Sequence, residues 1–360
     1  MKKTKLIIIG GFLGAGKTTL LNTIFRLFQE EGKKVGLITN DQAKGLVDTL
    51  ILSSSGAHVQ EISGSCFCCN FDGLMQAALY LRDIAQCDTI VAEPVGSCTD
   101  LVVTLVNPIK YYYQQYFELA PLCVLIDPFK LQQMLASEVD TKKGTNYIYL
   151  KQLEEADYLI VNKIDLMSTI EKAELKEFLK VKFPYFSQRW ISALHKEGVK
   201  DWLEVMNTDV NVGTRELDID YDVYADGEAA MGWYNADFIV NHIKHYLIPW
   251  GEFQSKFLQL LQELFQHEKI ALQHMKTFLK SGSSELHANL TGTGRILSKQ
   301  GTPFSSSSAR IAVNIRAETS PETIKAIMDD IISVYAEEKI CFETKTLNYF
   351  KPSRPEPTHR

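Results

Sequence analysis

Gly11-Phe12-Leu13-Gly14-Ala15-Gly16-Lys17-Thr18 is the stretch that decides the fold. It matches the pattern GxxxxGK[ST]. The glycines are a chemical requirement, because backbone N–H groups must curl around phosphate oxygens more closely than a Cβ allows. Lys17 would neutralise the β- and γ-phosphates, and the Thr18 hydroxyl would ligate Mg²⁺. Gly11, Gly14, Ala15, Gly16, Lys17, Thr18 and Thr19 form the expected cradle. The β-branched run Leu6–Gly10 precedes the loop and the amphipathic stretch Thr19–Phe28 follows it. A strand therefore feeds a helix whose N-terminal partial charge adds to the cradle.

Outward from the loop, short apolar runs alternate with longer amphipathic stretches. The runs are Leu6–Gly10, Val35–Asn40, His58–Ile62, Thr89–Glu93, Leu122–Asp127 and Tyr158–Asn162. This alternation predicts an α/β fold, a mostly parallel, doubly wound sheet with strands buried on both faces. Ligands of such sheets sit at the carboxyl ends of the strands, where every motif below falls. The expected organisation is a P-loop domain over 1–207 and a linker over 208–228, where Asp, Gly, Thr and Tyr replace the periodic pattern. A smaller α+β domain follows over 229–350, with an extended tail over 351–360. The second domain reads strand, helix, strand, strand, helix, strand, the order of a ferredoxin-like module, with one surplus strand. Ser320-Pro321 opens its last helix as cap and first residue. Gly292 to Ser308 reads as a loop.

The chain has 360 residues, 45% hydrophobic and 23% charged, with a net charge of −6. That composition excludes wholesale disorder. Without a basic run, it also argues against nucleic acid held through phosphate contacts. No apolar stretch approaches the roughly 20 residues that span a bilayer, so no membrane partner is expected. Seven cysteines, three of them crowded together, fit a reducing cytoplasm better than a disulfide framework.

Asn162-Lys163-Ile164-Asp165 ends the sixth run and picks the base. The Asp165 carboxylate can accept from both N1–H and the 2-amino group of guanine, a pair adenine does not offer. Lys163 would lie along the ring, and Asn162 would tie this loop to the phosphate loop. Ser192, Ala193 and Leu194 would offer backbone N–H groups to guanine O6. Glu93 ends the Thr89 run and suits Mg²⁺, directly or through water, while Gly96 lets a backbone N–H approach the γ-phosphate. Asp41 would hold the metal, position the attacking water or simply cap a helix. Lys17, Asp41 and Glu93 are thus the catalytic candidates, and Thr18, Asp41 and Glu93 the Mg²⁺ ligands.

Cys66-Phe67-Cys68-Cys69 offers three thiolates, a set for a soft or borderline ion such as Zn²⁺ or Cu(I), with a fourth tetrahedral position left open. In an extended backbone Cys66 and Cys68 share a side, and Cys69 needs a turn to join them. Buried packing and a redox pair are the alternatives. Cys87, Cys98, Cys123 and Cys341 read as packing residues. His242 and His245 stand at helical spacing, as a solvated face or a metal pair.

In this order, phosphate loop, C-x-C-C, E-x-x-G and N-K-x-D, the chain resembles the CobW-like GTPases, relatives of the UreG and HypB metallochaperones and of the methylmalonyl-CoA mutase chaperones. The resemblance covers about Lys5 to Leu194. It implies binding of GTP and GDP and slow GTP hydrolysis. That hydrolysis is coupled to delivery of a metal of the zinc or cobalt class to a client metalloenzyme, or alternatively of a corrinoid to a cobalamin-dependent client. It also implies a Zn²⁺ or Co²⁺ site at Cys66, Cys68 and Cys69 and admits a nucleotide-dependent homodimer. This sequence departs from the family pattern at Ser65, where Gly is usual, and at Asp41, where Glu is frequent. It also lacks a histidine-rich linker. No arginine finger or water-orienting Gln follows Gly96, where Ser97 stands, so unassisted turnover is expected to be slow. A small-molecule kinase is the third reading, disfavoured by Asn162–Asp165.

Overall fold

The apolar run Leu6–Ile9 is too long to leave at a surface, and Thr4–Gly11 around it forms a strand buried along its whole length. The structure, a computed structural model, describes residues 3–41, 47–54, 56–136, 140, 142–292 and 297–360. Eight strands make the first sheet: β1 (Thr4–Gly11), β2 (Val35–Asp41), β3 (His58–Ser63), β4 (Thr89–Glu93), β5 (Phe117–Leu119), β6 (Cys123–Ile126), β7 (Tyr158–Val161) and β8 (Ser187–Trp190). Their order is β3-β2-β4-β1-β6-β7-β8, with β5 beside β1. Every pairing is parallel. Parallel neighbours require crossover connections, which is why the strands alternate with α1 (Lys17–Glu30), α2 (Val47–Ser54), α3 (Phe71–Asp83) and the helices that follow. The mostly parallel α/β sheet expected from the alternation is the one observed. Its core includes Ile7, Ile9, Leu20, Ile24, Leu125 and Ile160.

The chain divides into two compact units. The first comprises Met1–Lys44, Leu52–Gly227 and Arg354–Arg360, and the second Gly45–Ile51 and Glu228–Ser353. The second unit carries β9 (Gly232–His242), β10 (Ile248–Pro249), β11 (Leu272–Ser281), β12 (Ser284–Leu290), β13 (Ser298–Gly301), β14 (Ser305–Ser306), β15 (Ser308–Ala317) and β16 (Ile340–Phe350). Six of them form one sheet, β13-β12-β11-β15-β9-β16, antiparallel throughout. The helices Trp250–His267 and Pro321–Glu337 share its core through Phe257, Leu261, Met328 and Ile331. The run β16-β9-β15-β11 with these two helices is the ferredoxin-like arrangement, and β12 and β13 extend it. Ser320 caps the second helix by accepting from the Thr323 N–H at 3.1 Å, with Pro321 at the first helical position.

Two local readings are corrected. The Gly/Ser-rich stretch 292–308 is not all loop. It supplies β13, whose exposed polar residues pair with β12, and β14, which pairs with β10. Neither His242 nor His245 is helical. His242 closes β9, and His245 has a left-handed φ of 56° in the turn that follows. Among the described residues no helix is long and apolar enough to cross a membrane.

Candidate functional site

The loop after β1 must reverse direction without side chains in the way. Gly11, Gly14 and Gly16 take φ values of 131°, 82° and 99°, a region costly for any residue with a Cβ. A Cβ on Gly16 would also stand 2.4 Å from Asn162 Nδ2. The cradle therefore exists only because these positions are bare, and this geometry fits phosphate oxygens. Lys17 is buried and donates to the Gly11 carbonyl at 2.6 Å, with Nζ 4.0 Å from Glu93. Thr18 Oγ1 lies 3.4 and 3.5 Å from the two Glu93 carboxylate oxygens. Strand β4 pairs directly with β1, so the carboxylate at its end arrives beside the loop. Hydroxyl and carboxylate oxygens form a hard donor set, and these two fit Mg²⁺. Asp41 closes β2 in register with Ser63, but its side chain lies outside the described residues.

Asn162 joins three segments. Its Nδ2 donates to the Ala15 carbonyl at 2.9 Å, and its Oδ1 accepts from the Ala193 N–H at 2.9 Å. Thr23 in α1 donates to the Ala193 carbonyl at 2.6 Å. Lys163 has a left-handed φ of 60°, and its Nζ pairs with Asp127 at 2.8 Å. Asp127 is buried at the end of β6 and accepts from the Phe129 N–H at 3.0 Å, capping the next helix. The Asp165 carboxylate lies 3.7 Å from His195 Nε2. Neither Asp127 nor His195 stood out in the sequence, since an Asp ending a strand and a His in a turn carry no pattern. The expected trio of N–H donors at Ser192, Ala193 and Leu194 is reduced. The Ser192 N–H donates to the Glu197 carbonyl at 3.0 Å and that of Ala193 to Asn162 at 2.9 Å.

The segment after Glu93 is clamped from the helix Gly144–Glu155. A Cβ on Gly96 would stand 2.7 Å from Leu13 Cδ2, so this glycine permits close approach to the phosphate loop. Gln152 Nε2 donates to the Gly96 carbonyl at 3.0 Å and the Cys98 carbonyl at 2.7 Å. Glu155 is fully buried. It accepts from the Leu101 N–H at 2.6 Å and the Val102 N–H at 3.4 Å, and lies 3.1 Å from Thr99 Oγ1. Burial pushes its carboxyl up to about 8 from an ordinary 4.5. The folded chain thus keeps a proton there that the unfolded chain gives up. The resulting stabilisation is complete below about pH 4.5 and is lost as pH rises to about 8. Glu155→Gln mimics the protonated form and should flatten that decline. Denaturant midpoints at pH 5 and pH 9 test this: the wild type should lose a few kcal/mol more than the variant between them.

The thiols sit at the end of β3. They do not lie in an extended run. Phe67 to Asn70 form a turn, with the Cys69 N–H donating to the Cys66 carbonyl at 3.1 Å, immediately before α3. Two features impose it. Phe67 is fully buried, and Asn40 near the end of β2 holds the loop. The Asn40 side chain accepts from the Phe67 N–H at 2.8 Å and donates to the carbonyls of Ile62 and Ser65 at 3.0 and 2.8 Å. Cys66 Sγ lies 2.8 Å from Cys68 Sγ and 3.1 Å from Cys69 Sγ, and all three sulfurs fall within 4.8 Å of one another. The Cys68 and Cys69 thiols hold Cys66 well below the ordinary thiol range, while Cys68 is raised and Cys69 is pushed up to about 11. Three sulfurs this close form a soft donor set of the kind that holds a borderline cation. Arg354–Arg360 covers the turn. The Glu356 N–H donates to Cys69 Sγ at 3.3 Å, and the Thr358 N–H donates to the Cys68 carbonyl at 2.8 Å.

Of the remaining cysteines, Cys87 and Cys123 are buried and Cys341 is exposed. Burial raises the Cys123 thiol to about 12, and its sulfur lies 3.1 Å from Met206 Sδ, as a packing residue would. Cys98 is buried as well, and its backbone carbonyl accepts from Gln152 Nε2 at 2.7 Å.

Residues 5–183 match the family model described as "CobW/HypB/UreG, nucleotide-binding domain". The chain is 33% identical over 168 residues to the zinc chaperone YeiR of Escherichia coli, covering 45% of this chain and 47% of that protein. It is 29% identical over 170 residues to the zinc-regulated GTPase metalloprotein activator 1 of Schizosaccharomyces pombe, covering 45% and 39%. The match spans about half the length of these curated relatives, or less. Among solved structures, HypB from Helicobacter pylori in complex with nickel covers 59% of this chain and 92% of its own. Its identity is 17% and its TM-score 0.43. Over residues 5–183 the chain belongs to the CobW/HypB/UreG nucleotide-binding domain family.

Proposed function

We propose that the chain is a GTP-binding, slowly hydrolysing metallochaperone whose nucleotide state controls a zinc-class ion held by Cys66, Cys68 and Cys69. The observation that carries this reading is the neighbouring placement of the two sites. Glu93 ends β4 against Lys17 and Thr18, while Asn40, on the strand paired with β4, holds the thiol turn. The family match and the zinc chaperones among the relatives support it.

In this reading the cradle from Gly11 to Thr19 binds the phosphates and Lys17 neutralises them. Thr18 and Glu93, with Asp41 as the further candidate, would hold Mg²⁺, which would neutralise phosphate charge there. Asp165 selects guanine, and Asn162 keeps its loop in register with the cradle. The Gly96 N–H senses the γ-phosphate. Ser97 follows where a water-orienting side chain would help, so turnover is slow. A partner or second copy supplies the missing charge, worth about 10³ to 10⁵ in other enzymes. The ion is cargo for a client metalloenzyme in a reducing, cytoplasmic setting that keeps the thiols available. Delivery of a corrinoid would not need three converging sulfurs, so their geometry favours an ion.

Zinc content and affinity, measured with GDP and with a non-hydrolysable GTP analogue, test the coupling; equal affinity in both states would refute it. The triple variant Cys66→Ser, Cys68→Ser, Cys69→Ser should lose stoichiometric zinc and keep its guanine-nucleotide affinity. Zinc retained by that variant would exclude the thiol site.

A further inference from the structure

A strap lies over the thiol turn, and its sequence accounts for its shape. In Arg354-Pro355-Glu356-Pro357-Thr358-His359-Arg360 two prolines alternate with residues that keep an N–H. Proline fixes φ near −65° and offers no donor, so such a run stays extended and satisfies none of its own backbone groups. The N–H groups on either side of Pro357, those of Glu356 and Thr358, instead reach Cys69 Sγ at 3.3 Å and the Cys68 carbonyl at 2.8 Å. Pro355 is buried and Pro357 half-buried, while Glu356 and Thr358 are exposed.

Aromatic rings and acids hold the two ends. The His359 ring meets Phe71 edge-on with centroids 4.7 Å apart, and Tyr112 stands at 5.7 Å. The Arg360 guanidinium lies 4.4 Å from the Tyr221 ring centre and, through Nε, 3.3 Å from Asp100 Oδ2. Its Nη2 donates to the Ile219 carbonyl at 3.3 Å, and Arg354 pairs with Asp222.

We propose that this surface is a peptide groove, filled in cis by Arg354–Arg360, and that an extended segment of the client displaces the strap to reach the ion. This rests on the thiol-site reading above and deepens it by giving the client's contact a chemistry. The fitting segment carries proline-spaced N–H donors, then a ring side chain, then a guanidinium. Extended proline-rich ligands dock on aromatic-lined grooves in this way. The cis occupant is built to be exchanged. It joins neither sheet of the first unit nor that of the second, so no ladder of hydrogen bonds locks it down. It also fits incompletely. Asp100 is 1% exposed, and its Oδ2 accepts from the Tyr221 hydroxyl at 2.7 Å and faces Arg360. Its buried Oδ1 has no hydrogen-bond partner among the described residues. A buried acceptor left unpaired is costly, and a guanidinium spanning both oxygens would remove that cost.

A fluorescent free heptapeptide of the sequence Arg354–Arg360 tests the groove on full-length protein. In the wild type the strap competes at an effective concentration near millimolar. The peptide should therefore bind the full-length variant His359→Ala, Arg360→Glu at least about tenfold more tightly than the wild type. A peptide carrying Arg360→Glu should bind that variant at least about tenfold more weakly than the native peptide. One carrying Glu356→Ala keeps the backbone donor and should bind like the native peptide. Chelator capture of zinc from the loaded variant should run about tenfold faster than from the wild type, and saturating native peptide should slow it again. Unchanged GDP affinity certifies the fold of the variant. Hydrogen exchange gives the same answer without substitution: in the wild type, the Glu356 and Thr358 amides should exchange faster when the peptide is added in excess. No peptide binding, or equal binding to variant and wild type, would overturn the groove and leave the thiol site standing. Equal zinc capture from the two proteins would overturn the strap's hold on the ion. No zinc in either protein, with the peptide competition intact, would overturn the thiol-site reading and leave the groove.

Discussion

Replacing Lys17 with alanine should leave the chain folded and deprive it of its nucleotide. Lys17 is buried, donates to the Gly11 carbonyl at 2.6 Å and stands 4.0 Å from Glu93. Its ammonium is positioned among oxygens that would otherwise repel a phosphate. In the variant, the phosphates would meet backbone carbonyls and the Glu93 carboxylate with no compensating charge. Truncating one partner of a buried charge pair costs about 2 to 5 kcal/mol, which is a weakening of roughly 30-fold to several thousand-fold. Titration with a fluorescent GDP derivative should therefore show at least about 100-fold weaker binding. The thermal midpoint of the nucleotide-free variant should stay close to that of the wild type, since the strands and α1 do not depend on this side chain. A dissociation constant within about threefold of wild type would remove the phosphate site from the reading.

Asp165→Asn should exchange the base that is bound. A carboxylate accepts from guanine N1–H and its 2-amino group. An amide can accept from only one of them and turns its own N–H toward the other donor. Sites that leave a buried donor unpaired reject a ligand by about 10⁴-fold or more, and GTP should lose affinity on that scale. Xanthosine triphosphate carries a carbonyl where guanine carries the amino group, so the asparagine N–H has an acceptor there and affinity should rise. Asp165 Oδ2 lies 3.7 Å from His195 Nε2 and is not tied into the protein core, so the exchange leaves the fold undisturbed. Competition between the two triphosphates on both proteins gives the answer. An unaltered preference for GTP would place base recognition elsewhere.

The features that were legible in the sequence are those whose chemistry needs neighbouring residues. The cradle requires glycines at fixed offsets, and these positions take the left-handed φ values that only glycine adopts without strain. The strands β1, β2, β4, β6 and β7 are buried, so each reads around a short central apolar run. The polar residues of β13 give no such signal, because an edge strand borrows its order from the partner it pairs with. The turn that Cys69 needs to join the other two thiols is present, and what builds it lies elsewhere in the fold. The buried Phe67 and the Asn40 side chain impose that turn, and neither is marked by the cysteine spacing. The donors at Ser192 and Ala193 were overcounted because their partners, Glu197 and Asn162, are fixed only by the folded loop.

By itself the sequence determined that a phosphate-loop pattern opens a parallel sheet, that an N-K-x-D loop follows, and that three cysteines lie between them. These are properties of contiguous residues, set by backbone conformation and by the reach of adjacent side chains. Only the tertiary structure decided what stands around them: Asp127 under Lys163, Glu155 and Gln152 clamping the segment after Glu93, and Glu356 against Cys69. Each of these unites residues far apart in the chain. Hydrogen bonds and thiol contacts of that kind form only when packing has already brought the segments together, and local sequence carries no record of that distance.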